Sequence, residues 1–138
     1  MIGVVVITHG IIGKEMIRVA KSIMKQDYPF ASVSVEHDES TEKTRSKIQS
    51  AMQEVSSQEG ILLMTDMFGG TPTNICLSFL KEKECEVITG VNLPMLLKMT
   101  SIPQNQSLAD AVRFIQDYGQ KHISRAYDVL KGGSSANP

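Results

Sequence analysis

Residues 2–10 read IGVVVITHG, and this stretch decides the fold. Its first six residues form an almost unbroken apolar run rich in β-branched side chains, which is typical of a strand buried on both faces of a parallel sheet. Residues 60–65 (GILLMT) repeat this pattern, and residues 31–36 (ASVSVE) and 85–89 (CEVIT) are two further candidate strands. The sequence therefore predicts four strands of a mainly parallel sheet.

Between the strands, apolar residues recur every three or four positions, which predicts helices. The first begins soon after residue 10, and the others cover residues 41–55, 72–83, 93–100 and 107–118. Thr71 is placed to cap the third of these helices, with Pro72 in its first turn. Strands that alternate with helices across short connections predict a doubly wound α/β sheet with helices on both faces, a three-layer α/β/α fold.

The last part of the chain is open to two interpretations. Residues 122–130 fit a final helix about as well as a short strand. Residues 132–138 (GGSSANP) have the composition of a flexible tail or of the start of a linker. A length of 138 residues suits one domain, and we place that domain at residues 1–131.

Composition excludes several classes of protein. Hydrophobic residues make up 41% and charged residues 21% of the chain, which excludes a disordered protein. The 14 basic and 15 acidic residues provide no basic excess for nucleic-acid binding. No apolar run approaches the roughly 20 residues that span a bilayer, and no signal peptide is apparent, so we expect a cytoplasmic domain. Cys76 and Cys85 form no CxxC pair and are expected to be inert, reduced thiols in the core.

Ligands of such sheets bind beyond the carboxyl ends of the strands, where His9 follows the first strand and Asp66 the third. An imidazole is a good nucleophile near neutral pH and can carry a covalent group. If the two strands are neighbours, Asp66 accepts a hydrogen bond from one ring nitrogen of His9 and leaves the other nitrogen free to attack. The same spacing also fits a pair that only ties two loops together.

The loop at residues 69–72 (GGTP) leads into a predicted helix, whose free amides and positive dipole end favour a phosphoryl group. An ordinary capped helix start would look the same. His37 is expected at the surface, and His122 in a structural or exposed position. Because the three histidines lack metal-ligand spacing and the chain has neither GxxxxGK[ST] nor GxGxxG, we expect no metal and no nucleotide cofactor.

Three stretches resemble one protein family: IGVVVITHG, TDMFGGTPTN and VITGVNLPML, which begin at residues 2, 65 and 87. The chain resembles, over about residues 1–130, the IIA component of the mannose–fructose–sorbose family of the bacterial phosphoenolpyruvate-dependent sugar phosphotransferase system. The resemblance implies that His9 accepts a phosphoryl group from the carrier protein HPr and passes it to a IIB component. It also implies that Asp66 orients the imidazole ring.

The resemblance extends these expectations to the surroundings of the histidine. Thr71 stands at the family's phosphate site and Phe68 at an aromatic position on the rim. The full set expected to bind or support the phosphate is Thr8, Gly10, Phe68, Gly69, Gly70, Thr71 and Asn92.

The resemblance also bears on assembly. Family members form homodimers that exchange a C-terminal strand, which favours a strand within residues 122–130. They meet the membrane only indirectly, through IIC and IID components. Many members continue through a linker into IIB, so both a separate IIA protein and part of a longer chain fit this sequence.

Other functions fit some of these residues. Certain phosphohydrolases and mutases carry a His-Gly pair after the first strand, but they have an arginine where this chain has Thr8, and a second catalytic histidine. A receiver-like module would be phosphorylated on Asp66 instead. A regulatory phosphoprotein with no part in transport, and a binding module without catalysis, are further alternatives.

Overall fold

The computed structural model describes residues 1–67, 69–81, 84–103 and 105–132 of the chain. Its strands are β1 (Gly3–His9), β2 (Phe30–Val35), β3 (Ile61–Thr65) and β4 (Cys85–Thr89). They form one sheet in the order β2-β1-β3-β4, and each neighbouring pair is parallel. The four predicted strands are thereby confirmed, and β1 lies in the interior of the sheet.

Helices cover both faces of this sheet. In chain order they are α1 (Ile12–Met24), α2 (Thr41–Glu54), α3 (Gly70–Ser78), α4 (Leu93–Lys98), α5 (Leu108–Lys121) and α6 (Ala126–Gly132), with a 3-10 turn at Met99–Ser101. One core cluster lies between the sheet and α1, α4 and α5, and the other between the sheet and α2 and α3. The predicted doubly wound, three-layer α/β/α fold is confirmed.

The apolar run of β1 supplies both of these cores. Val4 and Val6 point into the first cluster, whereas Val5 and Ile7 point into the second, and all four are fully buried. Burying each such side chain contributes about 1.5–3 kcal/mol relative to leaving it exposed. A strand covered on both faces needs apolar residues at every position, which is why the run is continuous.

The C-terminal region differs from the strand that the family resemblance favoured. The helix α5 continues to Lys121, and Ala126–Gly132 forms the short helix α6, none of whose residues is buried. A helix satisfies its backbone hydrogen bonds internally, whereas a strand needs a neighbouring strand to pair with. The strand interpretation is therefore wrong for the chain taken alone, and the exchange between two chains stays a prediction. The domain boundary at residue 131 also stays a prediction, because residues 133–138 lie outside the described ranges.

Among the described residues, no helix is both long and apolar enough to cross a membrane.

Candidate active site

His9 and Asp66 meet at the carboxyl edge of the sheet. His9 is the last residue of β1, and Asp66 follows the last residue of the adjacent strand β3. The ring Nδ1 of His9 lies 2.9 Å from Oδ2 of Asp66, and the backbone N–H of His9 donates to the same oxygen at 2.9 Å. The other oxygen, Oδ1, accepts from the backbone N–H of Met67 at 2.9 Å. The parallel pairing of β1 and β3 thus builds the contact expected from the sequence.

The electrostatics of this pair determine which ring nitrogen is free. Burial alone would raise the pKa of the Asp66 carboxyl, but the hydrogen bonds from His9 and Met67 outweigh it and hold that pKa below its usual range. An ionised carboxylate only accepts hydrogen bonds, so the contact with His9 requires the proton on Nδ1. The lone pair then lies on Nε2, on a side chain that is 50% exposed.

Thr8 and Gly10 support the loop and have no spare donor for a phosphate. The fully buried Thr8 hydroxyl donates to the carbonyl oxygen of Gly10 at 3.1 Å and accepts from the N–H of Gly13 at 2.9 Å. The N–H of Gly10, which has a φ of +58°, donates to the carbonyl oxygen of Val35 at 3.0 Å. Thr8 therefore satisfies an amide in the first turn of α1, and its expected part in binding or supporting the phosphate stays a prediction.

The Asn92 side chain also forms hydrogen bonds with the backbone of neighbouring helices. Its Oδ1 accepts from the backbone N–H of Met95 at 3.1 Å, and its Nδ2 donates to the carbonyl oxygen of Gly119 at 3.0 Å. The residue therefore caps α4 and ties it to α5. Asn92 is thus a structural cap, and its expected part in binding or supporting the phosphate stays a prediction.

The described residues of the loop before α3 include two glycines with positive φ. Gly69 and Gly70 have φ values of +97° and +77°, which favour glycine, and α3 begins at Gly70. Thr71 lies exposed in the first helical turn and does not cap the helix, so that part of the prediction is wrong. The backbone N–H groups of Gly69, Gly70 and Thr71 donate no hydrogen bond to another described residue. Phe68, expected on the rim, lies outside the described residues.

Two buried threonines that the sequence interpretation missed hold this loop. The hydroxyls of Thr65 and Thr73 both donate to the carbonyl oxygen of Met67, at 3.4 and 3.0 Å. These bonds fix the backbone just after Asp66 from both sides. Their only signal in the sequence was their position within the TDMFGGTPTN stretch, where a threonine could equally well be an exposed surface residue.

A partly buried ion pair fixes the connection between β2 and α2. Lys47 Nζ donates to Oε1 of Glu39 at 2.7 Å and to the carbonyl oxygen of Ser34 at 2.6 Å, while the Thr44 hydroxyl donates to Oε2 of Glu39. Burial would raise the pKa of the Glu39 carboxyl, but the bonds from Lys47 and Thr44 lower it. This connection lies beside the site, since the N–H of Gly10 bonds to Val35 at the end of β2.

Among the described residues, the other two histidines form no hydrogen bond or ion pair with His9 or Asp66. His37 is exposed, next to Asp38. His122 ends α5, with its Nδ1 2.8 Å from the carbonyl oxygen of Tyr118. Cys76 and Cys85 are buried thiols, and burial raises the pKa of Cys76 to about 12, so it is a poor nucleophile.

A comparison with protein families places this site in a known context. Residues 3–116 match the EIIA-man family model, described as "PTS system fructose IIA component". The chain belongs to this family. The matched range includes both residues of the His9–Asp66 pair and the start of α3, and it ends within α5.

Similarity to individual EIIA proteins agrees with this family assignment. The chain is 25% identical over 138 residues to the PTS system fructose-specific EIIA component of Bacillus subtilis, covering 99% of this chain and 94% of that one. It is 28% identical over 98 residues to the PTS system mannose-specific EIIAB component of Escherichia coli, covering 70% of this chain but 30% of that protein. The solved mannose/sorbose specific IIA subunit from Enterococcus faecalis has the same fold, with a TM-score of 0.79 at 19% identity over 90% of this chain and 93% of that one.

Membership of the family establishes the class of activity. EIIA components of the phosphotransferase system are phosphotransferases that carry phosphoryl groups between proteins of that system, and this chain is one of them. The resemblance stated from the three sequence stretches is thereby confirmed.

Proposed function

We propose that His9 is the residue that carries the phosphoryl group, which it accepts on Nε2 from HPr and passes to a IIB component. The observation that carries this proposal is the 2.9 Å contact between Nδ1 and the carboxylate of Asp66. It holds the proton on Nδ1 and leaves the lone pair on Nε2 of a half-exposed ring. The backbone bond from His9 to the same carboxylate restricts the position of the ring further.

The transfer breaks one P–N bond and forms another. Nε2 of His9 attacks the phosphorus of the donor's phosphohistidine in line, and the electron pair of the breaking bond returns to the donor ring. Positive charge develops on the His9 ring while its proton stays on Nδ1, and the Asp66 carboxylate stabilises that charge. The P–N bond that forms resembles the P–N bond that breaks. The step is therefore reversible, and the phosphoryl group can be transferred from His9 to an acceptor.

The start of α3 is suited to hold the phosphoryl oxygens. The N–H groups of Gly69, Gly70 and Thr71, which donate to no described residue, stand at the positive end of the helix dipole, and the Thr71 side chain is exposed beside them. A hydrogen bond to a charged group contributes about 1.5–3 kcal/mol. These donors would stabilise the added charge of the phosphoryl group without any further side chain.

Labelling with phosphoenolpyruvate, enzyme I and HPr tests the assignment. The unaltered chain is expected to take up labelled phosphate, and His9→Ala is expected to take up none. The matched control is His37→Ala, because His37 is an exposed histidine whose ion-pair partner is Asp38 and not Asp66. Uptake of label by His9→Ala would overturn the assignment of His9.

The stability of the label separates two chemistries. Phosphohistidine is labile in acid and survives base, whereas the acyl phosphate of a receiver-like module on Asp66 is labile in base. We expect an acid-labile, base-stable label. A base-labile product would move the phosphorylation to a carboxylate and overturn the proposal.

We further propose that the acceptor is a IIB component, and that the protein acts in the cytoplasm and meets the membrane only through IIC and IID components. The relatives named for fructose, mannose and sorbose make IIB proteins of this family the first acceptors to test. Labelled protein should lose its phosphate to such a IIB component. Retention of label in the presence of every IIB component of this family would contradict this part of the proposal.

The structure also supports the proposal that two chains associate. Among the described residues, β4 is an edge strand that pairs only with β3. A cavity of about 470 Å³ lies along β4 and α5, with Ile123 in its lining. Ile123 and Leu130, before and within α6, are 78% and 87% exposed. A second copy of the chain, with the C-terminal segments exchanged, would cover the β4 edge with its cavity and the two exposed side chains.

A further inference from the structure

The hydroxyl of Thr73 links the two parts of the candidate active site. Thr73 lies in α3, two residues after Thr71, and is 1% exposed. Its hydroxyl donates to the carbonyl oxygen of Met67 at 3.0 Å, and Met67 in turn donates its N–H to Oδ1 of Asp66 at 2.9 Å. The helix start proposed to hold the phosphoryl oxygens is thus connected, through a single residue, to the carboxylate beside the imidazole ring.

We propose that Thr73 is a positioning residue for the phosphoryl transfer, which acts by holding the backbone of Met67. With that backbone fixed, the Asp66 carboxylate stays turned toward Nδ1 of His9. The inference rests on the proposed function. Thr73 does not touch the donor protein, because it is almost fully buried and its hydroxyl donates to the Met67 carbonyl oxygen. Its effect on the reaction therefore passes through Met67 and Asp66.

The Asp66 side chain keeps one orientation only while both of its oxygens are held. A carboxylate turns readily about its last bond, because torsions that end at an sp² carbon have broad energy minima. Oδ2 is held by the N–H and the ring of His9, and Oδ1 by the N–H of Met67. If the Met67 backbone turns, Oδ1 loses its donor and the carboxylate faces the ring for less of the time. The ring proton can then move to Nε2, which removes the lone pair that attacks phosphorus.

A second buried threonine makes the test a graded one. Thr65, the last residue of β3, is fully buried and donates to the same carbonyl oxygen of Met67 at 3.4 Å. That distance exceeds the range of about 2.5–3.0 Å that is usual for a hydroxyl donor, so this bond is weaker than the 3.0 Å bond from Thr73. The geometry therefore ranks Thr73 above Thr65 in its effect on the orientation of Asp66.

Tyr28 provides a matched control at the opposite edge of the sheet. Its hydroxyl donates to the carbonyl oxygen of Ile2, and Tyr28 is 6% exposed. Ile2 precedes β1 and Tyr28 precedes β2, so this bond lies at the amino ends of the strands, whereas His9 ends β1 at the carboxyl edge. Tyr28→Phe and Thr73→Val each remove one buried hydroxyl-to-carbonyl bond, so we expect them to lower the stability by similar amounts.

The kinetics of phosphoryl uptake from phosphorylated HPr measure the effect. Thr73→Val is expected to lower kcat about tenfold and to change the KM for phosphorylated HPr less than about twofold, because the buried side chain makes no contact with the donor. Thr65→Val should lower kcat by only about two- to threefold, in line with its longer bond. Thr73→Ser, which keeps the hydroxyl, and Tyr28→Phe should both keep kcat within about twofold of the unaltered chain.

The proton on the His9 ring provides a readout that needs no partner protein. Nitrogen NMR of the neutral ring distinguishes a proton on Nδ1 from a proton on Nε2, and the hydrogen bond to Asp66 decides between them. The unaltered chain, Thr73→Ser and Tyr28→Phe should carry the proton on Nδ1, whereas Thr73→Val should show a mixture of the two forms. A purely structural role of Thr73 would not move this proton.

Each result bears on the proposal. An unchanged kcat in Thr73→Val, or a ring proton that stays on Nδ1 in that variant, would overturn it. An equal loss of kcat in Tyr28→Phe would also overturn it, since reduced stability would then explain the loss, and so would failure of Thr73→Ser to keep kcat. If the unaltered chain takes up no label, the proposed function itself fails, and the ring proton of Thr73→Val still decides whether Thr73 orients Asp66.

Discussion

At the scale of single residues, the Asp66 carboxylate has the most specific task. It accepts from the N–H groups of His9 and Met67 and holds the proton on Nδ1 of the ring. Asp66→Asn keeps the shape and one accepting oxygen but removes the charge that stabilises the cationic ring. We expect phosphoryl uptake from HPr to slow about 10²-fold, at the lower end of what acid–base groups contribute, with the circular dichroism spectrum unchanged. An unchanged uptake rate would remove the orienting role.

Among single residues, the sequence predicts which side chains lie near each other but not which hydrogen bonds they form. The His9–Asp66 contact was predictable, because residues that end neighbouring parallel strands meet at one edge of the sheet. The roles of Thr8 and Asn92 were not, because a sequence shows that a polar group is present but not which partner uses it. The Thr8 hydroxyl accepts a hydrogen bond from the N–H of Gly13. The Asn92 side chain accepts from the N–H of Met95 and donates to the carbonyl oxygen of Gly119.

At the scale of elements, the connection between β2 and α2 depends on Glu39 and Lys47. The folded chain lowers the pKa of Glu39 below its unfolded value, so the pair stabilises the fold fully above the unfolded pKa of about 4.3. That contribution is lost as the pH falls through the lower, folded pKa. Glu39→Gln should therefore cost about 1–3 kcal/mol at pH 7, in a site where the Glu39 side chain is 2% exposed.

Urea unfolding of Glu39→Gln and the unaltered chain at pH 7, 5 and 3 measures this dependence. The difference in unfolding free energy should shrink toward pH 3, since the carboxyl of the unaltered chain then becomes protonated. Glu36→Gln is the matched control, because Glu36 is an exposed glutamate of the same connection. A difference that stays constant across the three pH values would contradict the ion-pair explanation.

Elements also differ in how far their sequence specifies them. The β1 run predicted its strand because each of its valine and isoleucine side chains is buried in one of the two core clusters. The start of α3 was misplaced at Pro72, with Thr71 as its cap, whereas two glycines with positive φ allow the helix to begin at Gly70 without a side-chain cap. For residues 122–130 the sequence does not distinguish helix from strand by burial, because none of the α6 residues is buried in the single chain.

At the scale of the whole molecule, the site and the edge strand β4 lie at different positions in the sheet. The site lies at the carboxyl ends of β1 and β3, in the middle of the sheet, whereas β4 forms its edge. An edge strand tends to recruit another chain. Association along β4 would leave His9 accessible to its partners, so a dimer and a phosphoryl carrier are compatible in one molecule.

The dimer is tested by light scattering during size-exclusion chromatography. The unaltered chain is expected at twice its 15.2 kDa. Leu130→Asp places a charge on a side chain that is 87% exposed in the single chain and would be covered in the dimer, so it should shift the mass toward one chain. Ile23→Asp, which changes an apolar residue 52% exposed on α1, should leave the mass unchanged. A monomeric unaltered chain would contradict the association, and a dimer that survives Leu130→Asp would exclude the C-terminal segment from its interface.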